Sequence, residues 1–312
     1  MNNKLVTLIG GGGFLGRYIA QDLLAAGARV RIAQRDPLAA YFLKPLGGLG
    51  QTQFLAADIR KPASIARAVA GADAVINLVG ILKGDFRRIQ AAGAQIVAEA
   101  AAQAGVGALV HVSAIGADAA SPSRYGRTKG EGEAAVHAAF PSATIIRPSI
   151  IFGREDGFIN RFAAMIAGPL PIVPVLRAGA KFQPVFVGDV AAAIGAALAD
   201  PATAQGKTFE FGGPDVITMG ELVRWIARAI GRSPTIVELP DLVGSLIALG
   251  GFLPGAPITR DQWRMLQVDN VVGAGAATLA DLGVAPTPLD SVAPGWLVRY
   301  RRHGRFTAAT AA

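Results

Sequence analysis

The stretch LVTLIGGGGFLGRYIAQDLLAAGARVRIAQRD, residues 5–36, decides the fold. Leu5 to Ile9 is a short apolar run, and the glycines from Gly10 to Gly13 stop it abruptly. From Phe14 to Ala26 the spacing turns helical, and a second strand-like run follows from Ala28 to Ala33. Strand, glycine turn, helix and strand make a βαβ unit. Gly10, Gly13 and Gly16 stand three apart in that turn, a spacing that chance alone supplies easily in a chain with 39 glycines. Its position gives it meaning. The strand must turn sharply, a backbone without Cβ atoms can approach a pyrophosphate, and the helix from Phe14 aims its N–H groups at the phosphate charge. Gly16 then lets that helix pack closely on the strand. The turn predicts a dinucleotide site.

Such a site usually carries Asp or Glu about 20 residues beyond the glycines, where it binds the adenosine ribose hydroxyls. Here that place reads Ala33-Gln34-Arg35. A planar guanidinium suits a 2′-phosphate, so NADP(H) is favoured over NAD(H), and Asp36 moderates the preference. Asp58, beyond a third strand, has two readings: an acceptor for the adenine amino group, or the N-cap of a helix beginning near Pro62.

The same alternation runs through the first half of the chain. Strands are expected at Leu5 to Ile9, Ala28 to Ala33, Gln53 to Ala57, Ala74 to Leu78, Ala108 to Ser113 and Thr144 to Arg147. Helices are expected near Phe14 to Ala26, Pro62 to Ala70, Gly84 to Ala104 and Arg124 to Ala139. The fold class is therefore α/β, a Rossmann-type doubly wound parallel sheet over residues 1–150, with a smaller C-terminal lobe over 151–312. Val185 to Val187 and Thr208 to Phe211 read as strands returning to the sheet's edge, so residues 183–212 complete it.

Tyr125-Gly126-Arg127-Thr128-Lys129 sets a phenol and an ammonium four residues apart on one helix face, twelve residues after Ser113 at a strand's end. In this geometry Lys129 holds the nicotinamide ribose and lowers the phenol pKa, Tyr125 exchanges a proton and Ser113 orients a carbonyl.

Composition narrows the chemistry. With 52% hydrophobic and 17% charged residues the chain buries a core, and with no cysteine it has no disulfide, no thiolate metal site and no cysteine nucleophile. His111, His137 and His303 are far apart, so no metal site is expected. The net charge of +8 sits largely in Arg299, Arg301, Arg302 and Arg305, where no acid lies between Ser291 and Ala312. No nucleic acid partner is inferred from it. Beside Trp296 and Tyr300, this segment is either a solvated tail or an anionic docking surface. Glycines at 10–13 interrupt any signal peptide, which points to the cytoplasm. The uncharged run between Asp241 and Arg260 is broken by Gly250, Gly251, Pro254 and Pro257, so it reads as a broken helix able to lie at an interface but not to cross a bilayer.

The glycine turn, Asp58, Ser113 and Tyr125-x-x-x-Lys129 together resemble the short-chain dehydrogenase/reductase superfamily, of the extended or atypical kind. That resemblance implies a nucleotide lying along Gly10, Gly13, Phe14, Leu15 and Gly16, past Arg35, Asp58 and Ile59, then Leu78, Val79 and Gly80. It would reach Ser113, Tyr125 and Lys129, with Pro148 to Ile151 lining the nicotinamide. Phe140-Pro141, Arg147-Pro148-Ser149, the run from Phe152 to Phe162, Thr259-Arg260-Asp261-Gln262 and Asp269-Asn270-Val271-Val272 are similar, more narrowly, to the NAD(P)H-binding accessory subunits of respiratory complex I. This implies NADP(H) held as a structural cofactor, complex I subunits as partners, and a place at the cytoplasmic face of the inner membrane. A reductase or epimerase acting on a carbonyl or sugar-nucleotide substrate stands beside that reading, because Tyr125 and Lys129 are both present. A redox-sensing regulator is a third class, with no sequence feature of its own.

Overall fold

The computed structural model describes residues 1–253, 256 and 258–306. Its elements begin with β1 (Leu5–Ile9), α1 (Phe14–Ala25), β2 (Arg29–Gln34), β3 (Thr52–Ala56), α2 (Pro62–Val69), β4 (Ala74–Asn77), α3 (Ala92–Gln103), β5 (Ala108–Val112), α4 (Arg124–Ala139) and β6 (Thr144–Pro148). They continue through β7 (Ile151–Phe152), α5 (Ile159–Ala167), β8 (Ile172–Leu176), β9 (Lys181–Phe182), β10 (Val185–Phe186), α6 (Val187–Ala199), α7 (Pro201–Ala204) and β11 (Thr208–Phe211). The last third holds β12 (Ile217–Thr218), α8 (Met219–Ala229), β13 (Thr235–Leu239), α9 (Asp241–Leu249), α10 (Arg260–Met265), α11 (Leu289–Val292) and α12 (Pro294–Leu297).

The chain divides into two units, the first comprising Met1–Pro148, Val187–Phe211 and Gly273–Ala285. Its sheet has seven parallel strands in the order β11-β6-β5-β4-β1-β2-β3. The winding direction changes between β1 and β4, which opens a crevice at their carboxyl ends. The central strands are buried on both faces, as in β4, so they read as continuous apolar runs. Helices α2, α3 and α4 pack in succession, α1 packs with α6, and Ile9, Ile65, Val75, Val97, Leu109 and Ile145 lie in the shared core. One polar tie joins α4, β6 and β11. Arg147 donates to Glu133 Oε2 at 2.6 Å and Oε1 at 3.0 Å, and to Glu210 Oε1 at 3.4 Å. Two carboxylates thus satisfy a half-buried guanidinium whose paired charge raises its pKa.

Thr208–Phe211 joins the sheet beside β6, as expected. Val185 to Val187 does not: Val185–Phe186 pairs with β7 in the second unit, and helix α6 begins at Val187. Two residues are too few for a sequence pattern to say which strand they will meet. The return of Gly273–Ala285 was not expected either, and there Ala277 accepts from the Glu210 N–H at 2.8 Å.

The second unit comprises Ser149–Phe186, Gly212–Val272 and the residues from Pro286. Parallel β8 and β13, antiparallel β9 and β12, and the β7–β10 pair surround a core that includes Phe152, Val173, Phe182, Leu222 and Ile226. Within the Phe152 to Phe162 run, Asp156 accepts from the N–H groups of Gly153, Phe158, Ile159 and Asn160, which fixes the entry into α5. The C-terminal segment corrects one of the two earlier readings of it, the solvated tail. Trp296 and Tyr300 pack against the core, Ala293 and Leu297 are fully buried, and Arg301 Nε donates to Ala229 O at 3.1 Å. Two aromatic rings seek apolar cover, so the segment folds back and is not a free tail, while Arg299 and Arg302 stay exposed on it. Residues 307–312 lie outside the described part, as do Pro254, Gly255 and Pro257. The broken-helix reading of Asp241 to Arg260 agrees with α9 ending at Leu249 and α10 starting at Arg260. No helix among the described residues is long and apolar enough to cross a membrane.

Candidate functional site at the carboxyl ends of the strands

The turn after β1 needs glycine for different reasons at different positions. Gly10 has φ +83°, a left-handed conformation that L side chains rarely adopt, and a Cβ there would lie 3.0 Å from Val79 Cγ2. A Cβ on Gly16 would lie 2.3 Å from the Gly11 carbonyl oxygen, so only glycine allows α1 to sit this close. Gly13 is exposed and meets nothing nearer than 3.4 Å. The open side of the turn is therefore at Gly13, the N-cap of α1, which has no side-chain cap. The N–H groups of Phe14, Leu15 and Gly16 are bonded to no other protein group among the described residues. They leave a row of donors at the positive end of the helix. Gln34 Oε1 accepts from Gly12 N at 2.9 Å, which pins the turn to the end of β2.

Arg35 follows β2 directly, is exposed, and has no hydrogen bond or ion pair among the described residues. Asp36 accepts from the N–H of Leu38 at 3.0 Å, at the start of the short helical segment Leu38–Leu46. Asp58 lies beyond β3, but its carboxylate is held by Arg60 in a fork with contacts of 2.6 and 2.9 Å. The Arg60 guanidinium keeps its pKa well below the usual carboxylate range. It does not cap α2, whose N-cap is Lys61 without a side-chain bond, so that alternative is corrected. The Ile59 side chain is buried in the core beside Gly93. Only its backbone can face a ligand.

Leu78, Val79 and Gly80 leave the end of β4, with Leu78 N donating to Ile9 O at 2.9 Å. A Cβ on Gly80 would lie 3.5 Å from Lys129 Nζ. Lys129 itself donates to Val112 O at 3.0 Å, at the end of β5 and next to Ser113. The Ser113 hydroxyl is buried without a protein partner, an orphaned polar atom of the kind that marks a ligand's position. Pro148 ends β6 and accepts from Ile115 N at 3.1 Å. Ile151 belongs to the second unit. The expected residues from Gly10 through Val79, Gly80, Lys129 and Ser113 thus adjoin one another along the crevice. Tyr125 sits at the start of α4 against the edge of Phe86, with ring centroids 6.2 Å apart.

Electrostatics corrects one expectation. Burial pushes the Tyr125 phenol up to about 12, opposite to the lowering anticipated from Lys129. The lysine is itself desolvated, down to about 8, and its ammonium is directed to a backbone carbonyl.

Sequence reasoning missed Asn77 and His111. Asn77 Oδ1 accepts from Val79 N, so its amide faces His111 Nδ1 at 3.1 Å, and the imidazole proton is assigned to Nε2. Burial and the Lys129 charge push His111 down to about 3, so it is neutral. The available signal was a polar residue inside a strand otherwise wholly apolar. Gln90, in a short π-helical stretch before α3, is also buried with its amide unpartnered.

The open Gly13 face, the free N–H row and the orphaned Ser113 hydroxyl fit a dinucleotide stretched across β1, β4 and β5. Comparison with known proteins agrees with this class. Residues 6–212 match the NAD dependent epimerase/dehydratase family, and the chain belongs to that family, within the short-chain dehydrogenase/reductase superfamily. It is 37% identical over 317 residues to the NADH dehydrogenase (ubiquinone) 1 alpha subcomplex subunit 9, mitochondrial, of Mus musculus, covering 97% of this chain and 82% of that protein. It is 31% identical over 263 residues to the ceramide reductase of Caulobacter vibrioides, covering 81% and 80%. The fold is shared with the Escherichia coli NADPH-dependent quinone oxidoreductase QOR2 complexed with NADPH, at TM-score 0.73, 20% identity and coverage of 92% and 98%.

Proposed function

We propose that this chain is a nucleotide-binding accessory or assembly subunit of a respiratory NADH:ubiquinone oxidoreductase, holding NADP(H) as a structural cofactor at the cytoplasmic face of the membrane. The observation that carries the reading is the near full-length likeness to subunit 9 of the mitochondrial enzyme. The nicotinamide, when bound, supplies hydride chemistry. The N–H groups at Phe14 to Gly16 would bind the pyrophosphate, and Arg35, exposed and unpaired, a 2′-phosphate. Asp58 and the Ile59 backbone would flank the adenine, and Leu78 to Gly80 with Pro148 the nicotinamide half. Lys129 would hold the ribose.

A reductase is the second reading, supported by the ceramide reductase relative and by the trio of Ser113, Tyr125 and Lys129. Purified protein is expected to release NADP(H) on denaturation. While folded, its bound nucleotide should keep its oxidation state when offered carbonyl or alcohol libraries. Turnover that Tyr125→Phe abolishes would make the protein an enzyme and overturn the structural reading.

A further inference from the structure

Helix α9 is inside out. Its small residues, Gly244 and Ala248, face inward, and Gly244 lies so close to the Trp263 ring that a Cβ would sit 2.4 Å from it. Its large apolar residues face water: Leu242 is 72% exposed, Leu246 59% and Leu249 50%, and Phe252 just beyond the helix is 83% exposed. A helix of a self-contained unit normally buries its leucines. This one turns them out along one stripe, at spacings of four and three, so the stripe needs an apolar partner.

We infer that α9 and Phe252 form a membrane-docking surface that lies in the interface of an anionic bilayer. Three observations favour lipid over protein. A protein interface of ordinary kind carries about one hydrogen bond per 100–200 Å². This stripe offers at most one side-chain group, the Ser245 hydroxyl, whose proton is already donated to Leu242 O at 2.7 Å, so that only its oxygen is left to accept. The helix has nine residues, about 13 Å at 1.5 Å each, too short to cross hydrocarbon and suited to lying in its surface. The charges around it complement anionic headgroups. Asp241, the acid at its start, is paired with Arg177 at 2.6 Å, no charged residue occurs from Leu242 to Thr259, and the exposed Arg260 and Arg264 follow with the half-buried Asp261 between them, a net positive charge. Gly251 abuts Thr259, since a Cβ on it would lie 2.6 Å from the Thr259 Cα, which brings Arg260 to the end of the stripe next to Phe252.

The inference rests on the membrane location proposed above and names its surface. Co-sedimentation of the full chain with phosphatidylcholine vesicles, with mixed phosphatidylcholine and phosphatidylglycerol vesicles, and with native membranes tests it. Wild type is expected to sediment with the mixed vesicles, and the double variant L246Q/F252Q to bind them at least tenfold more weakly. Arg260→Gln is expected to reduce binding to the mixed vesicles and to leave the weaker binding to phosphatidylcholine unchanged. All changed side chains are exposed, and retention of NADP(H) in the same samples reports whether the fold and the nucleotide site are intact. Equal vesicle binding by the double variant overturns the inference. So does wild type that binds native membranes but neither vesicle, which leaves the peripheral location standing and makes the occupant a protein. A concentration-dependent dimer lost in the double variant makes the occupant a second copy and overturns it too.

Discussion

Gly16→Ala is expected to destabilise the chain by about 1–3 kcal/mol and to weaken nucleotide binding at least a hundredfold. The added methyl would lie 2.3 Å from the Gly11 carbonyl oxygen, 2.7 Å from its carbon and 2.8 Å from its Cα. All three neighbours are backbone, so no side-chain rotation relieves the overlap. Helix α1 has to move away from the turn, and the N–H groups of Phe14 and Leu15 move with it. Gly13→Ala is the contrast. It has an ordinary φ of −76° and a nearest contact of 3.4 Å, so alanine fits the fold but puts its methyl on the open face. Urea denaturation with nucleotide titration separates the two, since Gly16→Ala should fail both and Gly13→Ala only the titration. A Gly16→Ala protein of unchanged stability contradicts the packing.

Lys129→Met is expected to do the opposite to stability. Burial lowers the lysine from 10.5 to about 8. At about 1.4 kcal/mol per pKa unit this is a cost on the order of 3 kcal/mol, from which the lost hydrogen bond to Val112 O removes about 1. The variant should therefore be more stable by about 2 kcal/mol at pH 7 while binding nucleotide ten- to a hundredfold more weakly. Below the folded pKa both folded and unfolded lysine carry the proton and the burial cost is complete. From about pH 8 to 10.5 the unfolded chain binds more protons, so wild-type stability rises and the variant's advantage disappears. Denaturation midpoints across that range check the sign. A destabilised variant at pH 7 would mean that the ammonium is paid for by a stronger partner than Val112 O.

The six strands of the first half and the helices between them were legible because parallel strands covered on both faces read as unbroken apolar runs, and glycines punctuate their ends. The helix expected from Gly84 to Ala104 starts later, after the π-helical stretch at Arg87–Ala91, because Phe86 and Gln90 are drawn into the core by contacts that no local periodicity encodes. The segment Leu38–Leu46 was unread: a short 3₁₀ stretch with Pro45 inside lacks the 3.6-residue rhythm. In the site, the residues fixed by backbone geometry were the readable ones, Gly10 and Gly16 above all. Side-chain electrostatics were not. The phenol's direction depends on how deeply Tyr125 is desolvated and on where the Lys129 ammonium points, and both follow from tertiary packing. The Asn77–His111 pair depends in the same way on β4 and β5 lying side by side.

Calorimetric titration of wild type and Arg35→Ala with NADPH and with NADH tests the central claim most directly. Wild type should bind NADPH more tightly than NADH. The variant should lose NADPH affinity by roughly ten- to a hundredfold, as one charge-assisted contact implies, with NADH nearly unchanged. Tighter binding of NADH by wild type, or an equal loss of both nucleotides in Arg35→Ala, would contradict the role given to Arg35 and with it the assignment of NADP(H) to this crevice.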